Sequence, residues 1–165
     1  MVEKSNKENP DDKRRTFLCV VDESEELSQA LYFACGRAMK TGGRVALLYV
    51  IEPAEFQHWM AVGELMRDER RGEAEEMLQV VASVVQKRIG ETPVILIREG
   101  QITEELIKLI EEETDISVLV LGAATGPEGP GPLVSYIVQK MAGRLRIPIT
   151  IVPGSLSDEQ IDAIT

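Results

Sequence analysis

Histidine, cysteine and aromatic residues are scarce in this chain of 165 residues. It has one histidine and two cysteines, and aromatic residues make up 4% of it. Cys19 and Cys35 show no Cys-x-x-Cys spacing, which argues against a disulfide framework and against a zinc site. His58 has no second histidine with which to share a metal ion, so the sequence predicts neither a metal site nor a catalytic histidine.

Positive charge and long apolar runs are also lacking. The chain has 18 Lys and Arg against 28 Asp and Glu, a net charge of −10. Such a field repels nucleic acids and anionic membranes, so neither is expected as a partner. No run is long and apolar enough for a membrane span, and residues 1–15 contain no apolar stretch typical of a secretory signal. We therefore expect a cytoplasmic protein.

Short apolar runs alternate with segments of helical periodicity along most of the chain. The runs are rich in β-branched residues, as is typical of strands buried on both faces, and they predict strands over residues 16–21, 44–51, 93–97, 116–121 and 147–152. Four helices are predicted between the strands. The first begins at Ser24 as its N-cap, the second ends before Gly90, the third begins near Thr103 and the fourth near Pro132.

This alternation predicts a single α/β domain over residues 16–153, with three α/β/α layers and a five-stranded parallel sheet. Residues 1–15 are predicted to form a flexible arm and residues 154–165 a C-terminal tail. In doubly wound sheets, ligands bind beyond the carboxyl ends of the strands, where the strand order reverses. If the first strand is central, the loops to inspect are those that follow the first, second and fourth strands.

Four segments in these loops and strands resemble the universal stress protein family in order and spacing. They are Val-Val-Asp-Glu-Ser at 20–24, Leu-Leu-Tyr-Val-Ile-Glu-Pro at 47–53, Val-Leu-Val-Leu-Gly at 118–122 and Ile-Pro-Ile-Thr-Ile-Val-Pro at 147–153. The resemblance implies an adenine nucleotide alpha hydrolase-like fold with strand order 3-2-1-4-5. It also implies frequent homodimers through the fifth strand, and two branches, of which one binds ATP or another adenine nucleotide.

In the nucleotide-binding branch, an acid after the first strand and main-chain groups at the end of the second strand hold adenosine. The matching positions here are Asp22 and Val50. For a member of this branch the resemblance implies ATP or AMP as a ligand, with these two positions at the adenosine part; for a member of the other branch it implies no cofactor. An Asp between a strand and a helix is equally typical of a capping residue, so Asp22 has both interpretations.

The phosphate-binding pattern of the family departs at several positions. The family places a glycine directly after the fourth strand, a second three residues on, and a third ten residues later, followed by Ser or Thr. Gly122 matches the first, but the second position is Thr125, with Gly126 one place late. The last two positions fall on Ser135 and Tyr136. Glycine is needed where phosphate approaches the main chain, so the departures predict weak or absent binding of the phosphates.

The loop that replaces this pattern is unfavourable to phosphate by composition. Pro127, Pro130 and Pro132 each lack a backbone donor, and Glu128 adds negative charge. Between Arg98 and Lys140 the sequence has no basic residue except Lys108, so no local cation is predicted to pair with a triphosphate. Backbone N–H groups at the start of the fourth helix, with the Ser135 and Thr125 hydroxyls, are the remaining candidates to hold one phosphate.

Three functions follow in order of preference. The first is a regulatory, stress-response protein of the universal stress protein type with a degenerate adenine-nucleotide site, and the second is a protein-interaction module that has lost nucleotide binding. A slow nucleotide hydrolase comes last, because the sequence has no P-loop and no nucleophile–base pair, so no catalytic residue is assigned. An unprotected strand at 147–152 also predicts a C2 homodimer, in which residues 149–152 pair antiparallel across the axis.

Overall fold

The computed structural model describes residues 14–53 and 60–165, without the side chains of residues 60–63. Its five strands are β1 Thr16–Val20, β2 Arg44–Ile51, β3 Val94–Glu99, β4 Ile116–Ala123 and β5 Ile149–Pro153. The α-helices are α1 Leu27–Thr41, α2 Met60–Ile89, α3 Ile102–Glu112, α4 Pro132–Tyr136 and α5 Asp158–Ile164, and a π-helical turn, Ile137–Met141, follows α4. Most of the predicted arm and the segment around His58 lie outside the described residues.

All strand pairs are parallel, and the sheet order is β3-β2-β1-β4-β5. The predicted order and fold class are therefore confirmed. β1 is central and buried along its whole length, as its continuous apolar sequence requires. Because the order reverses on either side of β1, the carboxyl ends of β1, β2 and β4 meet at the switch point where ligands bind in such sheets.

The sheet separates two apolar clusters. On one face, α1, α2 and α5 pack on residues such as Phe17, Cys19 and Leu47. On the other face, α3 and α4 pack on Leu18 and Leu48 among others. Burial raises the pKa of the Cys35 thiol to about 11 and also raises that of Cys19, so both cysteines are protonated packing residues at neutral pH.

The first helix begins later than predicted. Its N-cap is Glu26 rather than Ser24, and the helix has no acidic residue in its first turn. Ser24 instead donates its main-chain N–H, at 2.9 Å, and its hydroxyl to Oδ1 of Asp22. The turn formed by Asp22 and Ser24 competes with capping because both use the same short polar side chains.

A fifth helix, absent from the prediction, lies in the segment assigned to the tail. Ser157 and Gln160 form a reciprocal capping box at its start, and Ile161 is fully buried against α1. Nη1 of Arg37 donates to the main-chain oxygen of Thr165 at 2.9 Å. Nζ of Lys40 donates to the main-chain oxygen of Asp162 at 3.4 Å, which adds a second polar contact between α1 and α5.

The long helix α2 extends beyond the sheet on which it packs. Its 30 residues span about 45 Å, whereas the eight residues of β2 span about 26 Å. Among its described side chains, which start at residue 64, the buried positions begin at Ala74 and continue through Leu78 and Val85. In the preceding part Leu65 is 63% exposed, and Arg70 and Glu73 lie where the helix passes the carboxyl ends of the strands.

Candidate functional site

A cleft of about 760 Å³ lies at the switch point of the sheet. Its floor is formed by the carboxyl ends of β1, β2 and β4, and its walls by the starts of α1, α3 and α4 and by part of α2. The volume falls within the range of small-molecule and cofactor sites. Much of the lining is apolar and includes Leu27, Val50, Ile51, Ile102, Leu133 and Val134.

Asp22 lies directly beyond β1 and lines the cleft. It accepts both hydrogen bonds from Ser24 on Oδ1, and Oδ2 accepts none from the described residues. The main chain just before it is fixed, since the N–H of Val21 donates to the carbonyl of Leu48 at 2.7 Å. Asp22 therefore has one oxygen committed to the local turn and one that can accept from a ligand hydroxyl.

Val50 lines the cleft near the end of β2 and is only 9% exposed. It pairs with Arg98 of β3, and the carbonyl of the next residue, Ile51, accepts the Gly100 N–H at 3.0 Å. These ladder bonds fix the end of β2 relative to the rest of the sheet. The two positions assigned to adenosine by resemblance, Asp22 and Val50, thus meet in one cleft.

Gly122 also lines the cleft, but its lack of a side chain has a packing cause. A Cβ atom at this position would lie 2.5 Å from the carbonyl oxygen of Glu26 and 2.9 Å from Cγ of the same residue. Glycine is required here because the start of α1 rests on the end of β4. This observation supports the structural interpretation of Gly122 without any phosphate.

The other four positions assigned to the phosphate, Thr125, Gly126, Ser135 and Tyr136, are not among the lining residues of the cleft. Thr125 and Gly126 are exposed, Ser135 is half-buried and its main-chain N–H donates to Gly131 within α4, and Tyr136 is exposed. The structure therefore does not bring them together with Asp22 and Val50. Their contact with a phosphate stays a prediction.

Some backbone N–H groups of the loop between β4 and α4 form hydrogen bonds within the loop itself. The N–H of Ala124 donates to Pro130 at 3.1 Å, and the N–H of Gly129 donates to Gly126 at 3.3 Å. Three prolines remove further donors, as the sequence predicted. The helix that follows the loop begins with Pro132 and continues through the π-helical turn to Met141.

Sequence reasoning missed four charged residues of the cleft. Arg70 donates through Nη1 to the main-chain carbonyl of Glu52 at the cleft wall. Oε1 of Glu52 accepts the N–H of Ile102, the first residue of α3, at 3.3 Å. Glu26 and Glu73 complete the set. Arg70 and Glu73 lie on α2, and only the path of this helix past the strand ends places them in the cleft lining.

Comparisons with known proteins agree with this architecture. The sequence model of the Universal stress protein family matches residues 13–153. No curated protein matches the chain. Universal stress protein UspA from Lactobacillus plantarum superimposes with a TM-score of 0.70 at 16% identity, over 85% of this chain and 98% of the other.

Two similar structures contain nucleotides. The universal stress protein from Archaeoglobus fulgidus in complex with dAMP has a TM-score of 0.60 at 18% identity, covering 85% of this chain and 98% of the other. A universal stress protein in complex with cAMP has a TM-score of 0.50 at 16% identity, covering 87% and 99%. At these identities the likeness establishes the fold, which is the adenine nucleotide alpha hydrolase-like fold.

The described part of the chain contains no group of three or more His, Cys, Asp or Glu side chains that could hold a metal ion. None of its helices combines the length and apolar character needed to cross a bilayer.

Proposed function

Because the chain belongs to the universal stress protein family, we propose that it is a regulatory stress-response protein that binds adenine nucleosides or nucleotides, with the phosphates held weakly or not at all. The observation that carries this proposal is the difference between the positions assigned to adenosine and those assigned to the phosphates. The adenosine positions line the cleft, whereas the positions assigned to the second and third glycines do not. The proposed role is binding and regulation rather than catalysis.

The adenosine part of a nucleotide fits the described residues. The cleft is large enough and offers the apolar side chains of Val50, Ile51 and Leu133 to a purine base. Oδ2 of Asp22 is available to a ribose hydroxyl, a hydrogen bond that the negative charge strengthens. Two structural neighbours hold dAMP and cAMP, which makes this ligand class a natural candidate.

The triphosphate part fits poorly. Phosphates bind where several backbone N–H groups converge, usually with a cation nearby. In the β4–α4 loop, N–H groups are removed at Pro127, Pro130 and Pro132 and used internally at Ala124 and Gly129. The ligand that the cleft accommodates best is therefore the nucleoside part, and ATP is expected to gain little from its second and third phosphates.

Thermal unfolding with adenosine, AMP and ATP tests the proposal. A ligand at about one hundred times its Kd adds about 2.7 kcal/mol to the free energy of unfolding, which a melt detects. We expect stabilisation by adenosine and no further gain from the additional phosphates of ATP. Asp22→Asn, which keeps the Oδ1 acceptor for Ser24, should weaken binding about tenfold through loss of a charge-assisted bond.

Glu23→Gln is the matched control, because Glu23 is adjacent, exposed and outside the cleft lining. It should bind like the wild type. The proposal fails if no adenine compound stabilises the protein, or if Glu23→Gln weakens binding as much as Asp22→Asn does.

The second candidate function is a protein-interaction module without nucleotide. It is favoured by the part of α2 that precedes Ala74, where Leu65 is largely exposed and the helix extends beyond the sheet. Absence of any nucleotide shift in the melts would favour this candidate.

A homodimer through β5 and a cytoplasmic location complete the proposal. β5 pairs only with β4 in the described chain, and Ile151 at this edge is 39% exposed. Antiparallel pairing of residues 149–152 across a two-fold axis would satisfy the open backbone groups. Sedimentation at micromolar concentration should give about twice 18.3 kDa; a purely monomeric species would refute the dimer. Two unpaired, buried cysteines suit a reducing compartment.

A further inference from the structure

We infer that the carboxylate of Glu26 determines which ligand charge the cleft accepts. The cleft therefore selects an adenine nucleoside with an uncharged 5′ end and rejects 5′-phosphates. This inference rests on the proposed function, because it concerns the same cleft. It goes further in naming the ligand class and the specificity-determining residue. In this view, phosphate is excluded by a positioned negative charge as well as by missing donors.

Glu26 lies directly against Gly122. The first glycine of the family's phosphate pattern corresponds to Gly122, and the space above its Cα is taken by Glu26. The carbonyl oxygen of Glu26 lies 2.5 Å, and its Cγ 2.9 Å, from where a Cβ of Gly122 would be. The side chain of Glu26 therefore starts at the place where a phosphate would have to approach the main chain.

Glu26 is also held in place by its surroundings. It is the N-cap of α1, and its carbonyl accepts the N–H of Ala30 at 3.2 Å. Its Cβ lies 3.0 Å from where a Cβ of Gly154 would be. With α1, Gly122 and Gly154 around it, the stem of the side chain has little room to withdraw from the cleft.

The other lining charges reinforce the negative potential. Asp22, Glu52 and Glu73 line the same cleft, against a single guanidinium, that of Arg70, among the described lining residues. None of the ion pairs in the described part of the chain involves a lining carboxylate. In a cleft with apolar walls, charges of one sign add to a field that opposes a phosphate.

Capping does not account for a carboxylate at position 26. The Glu26 side chain forms no capping hydrogen bond to α1. A negative charge near a helix start is generally favourable, but the neighbouring Glu25 supplies one equally well. Glu25 is exposed and does not line the cleft, so it separates the effect on the helix from the effect on the ligand.

Calorimetric titration of Glu26→Gln and of its matched control Glu25→Gln tests the inference, with adenosine, AMP and ATP in magnesium-free buffer. Gln has the size of Glu, and both variants change the net charge by the same amount. For the wild type we expect affinities in the order adenosine, AMP, ATP. Glu26→Gln should raise AMP affinity about tenfold and leave adenosine within twofold, as expected when one nearby charge is removed at intermediate dielectric.

The control and two further probes sharpen the result. Glu25→Gln should bind all three compounds like the wild type. 5′-Amino-5′-deoxyadenosine, whose amine is cationic at neutral pH, should bind the wild type at least as tightly as adenosine. Raising the salt concentration should reduce the discrimination against AMP in the wild type, because screening weakens the repulsion.

Several outcomes would overturn the inference. If adenosine binds but ATP binds the wild type more tightly, or if Glu26→Gln and Glu25→Gln change the AMP-to-adenosine ratio equally, Glu26 does not set the ligand's charge while the proposed function stands. If neither adenosine nor any nucleotide binds, the proposed function and the inference fall together. A melt of each variant verifies that it is folded.

Discussion

The two sides of the cleft are built differently. On the β1–β2 side, Asp22 and Val50 stand at strand ends whose main chains are fixed by sheet hydrogen bonds. On the β4–α4 side, a loop with three prolines closes on itself through its own N–H groups. The first side matches what the family resemblance implies for adenosine, and the second departs from what it implies for phosphate.

The fold itself maintains one part of this cleft and leaves the other part free to change. The end of a parallel strand cannot move without loss of the ladder, so its contribution to a ligand site persists as long as the sheet does. A loop beyond the strand carries no such constraint and can change sequence and hydrogen bonding without loss of the fold. We therefore propose that nucleoside binding and phosphate binding can be separated in this architecture.

The largest effect is expected from Gly122→Ala, which tests whether the glycine on the β4 side is kept for packing. A Cβ 2.5 Å from the Glu26 carbonyl oxygen forces α1 away from β4. We expect a loss of about 2–3 kcal/mol in the free energy of unfolding, or roughly 4–12 °C in Tm, even without ligand. Denaturant and thermal unfolding measure it.

Gly126→Ala is its counterpart on the same side. No atom lies within 4 Å of a Cβ at Gly126, and its φ is not in the left-handed region. It should be neutral or stabilise by up to about 1 kcal/mol. If both variants melted like the wild type, the packing explanation for Gly122 would be wrong and a phosphate-related explanation would gain weight.

A smaller effect is expected from Arg70→Gln on the α2 wall. Its removal leaves the lining carboxylates without their one described counter-charge, so the ratio of AMP to adenosine affinity should fall about threefold. Arg71→Gln is the control, because Arg71 pairs with Glu75 on the same helix, 3.4 Å apart, and does not line the cleft. Calorimetry measures this ratio. If both variants changed it equally, Arg70 would act only through the overall charge of the protein and not through its position in the cleft.

Much of the fold could be predicted because each strand is a continuous apolar run bounded by turn residues. The runs ending near Val21, Ile51 and Leu121 predicted strands at nearly their observed positions, and the β-α alternation predicted parallel pairing. Pro132 marked the start of α4, as the preference of proline for the first helical turn requires. The order of the strands followed from the family resemblance.

Other features depend on competition or on distance, which the sequence does not display. Ser24 could either cap α1 or hydrogen-bond to Asp22, and in the structure it forms the hydrogen bonds to Asp22. Ser157 and Gln160 carried a capping-box signal that could have identified α5. The positions of Arg70 and Glu26 in the cleft lining could not be predicted, because α2 and α1 there pass residues that are distant in sequence.

The family match ends at residue 153, but the folded chain continues through α5. Ending the protein at that boundary would uncover the α1 residues on which Ile161 packs and would remove Thr165 from its contact with Gly36. Protein produced for crystallisation or screening should therefore retain the last twelve residues. Without them, α1, whose first residues form part of the cleft wall, would expose an apolar surface that favours aggregation.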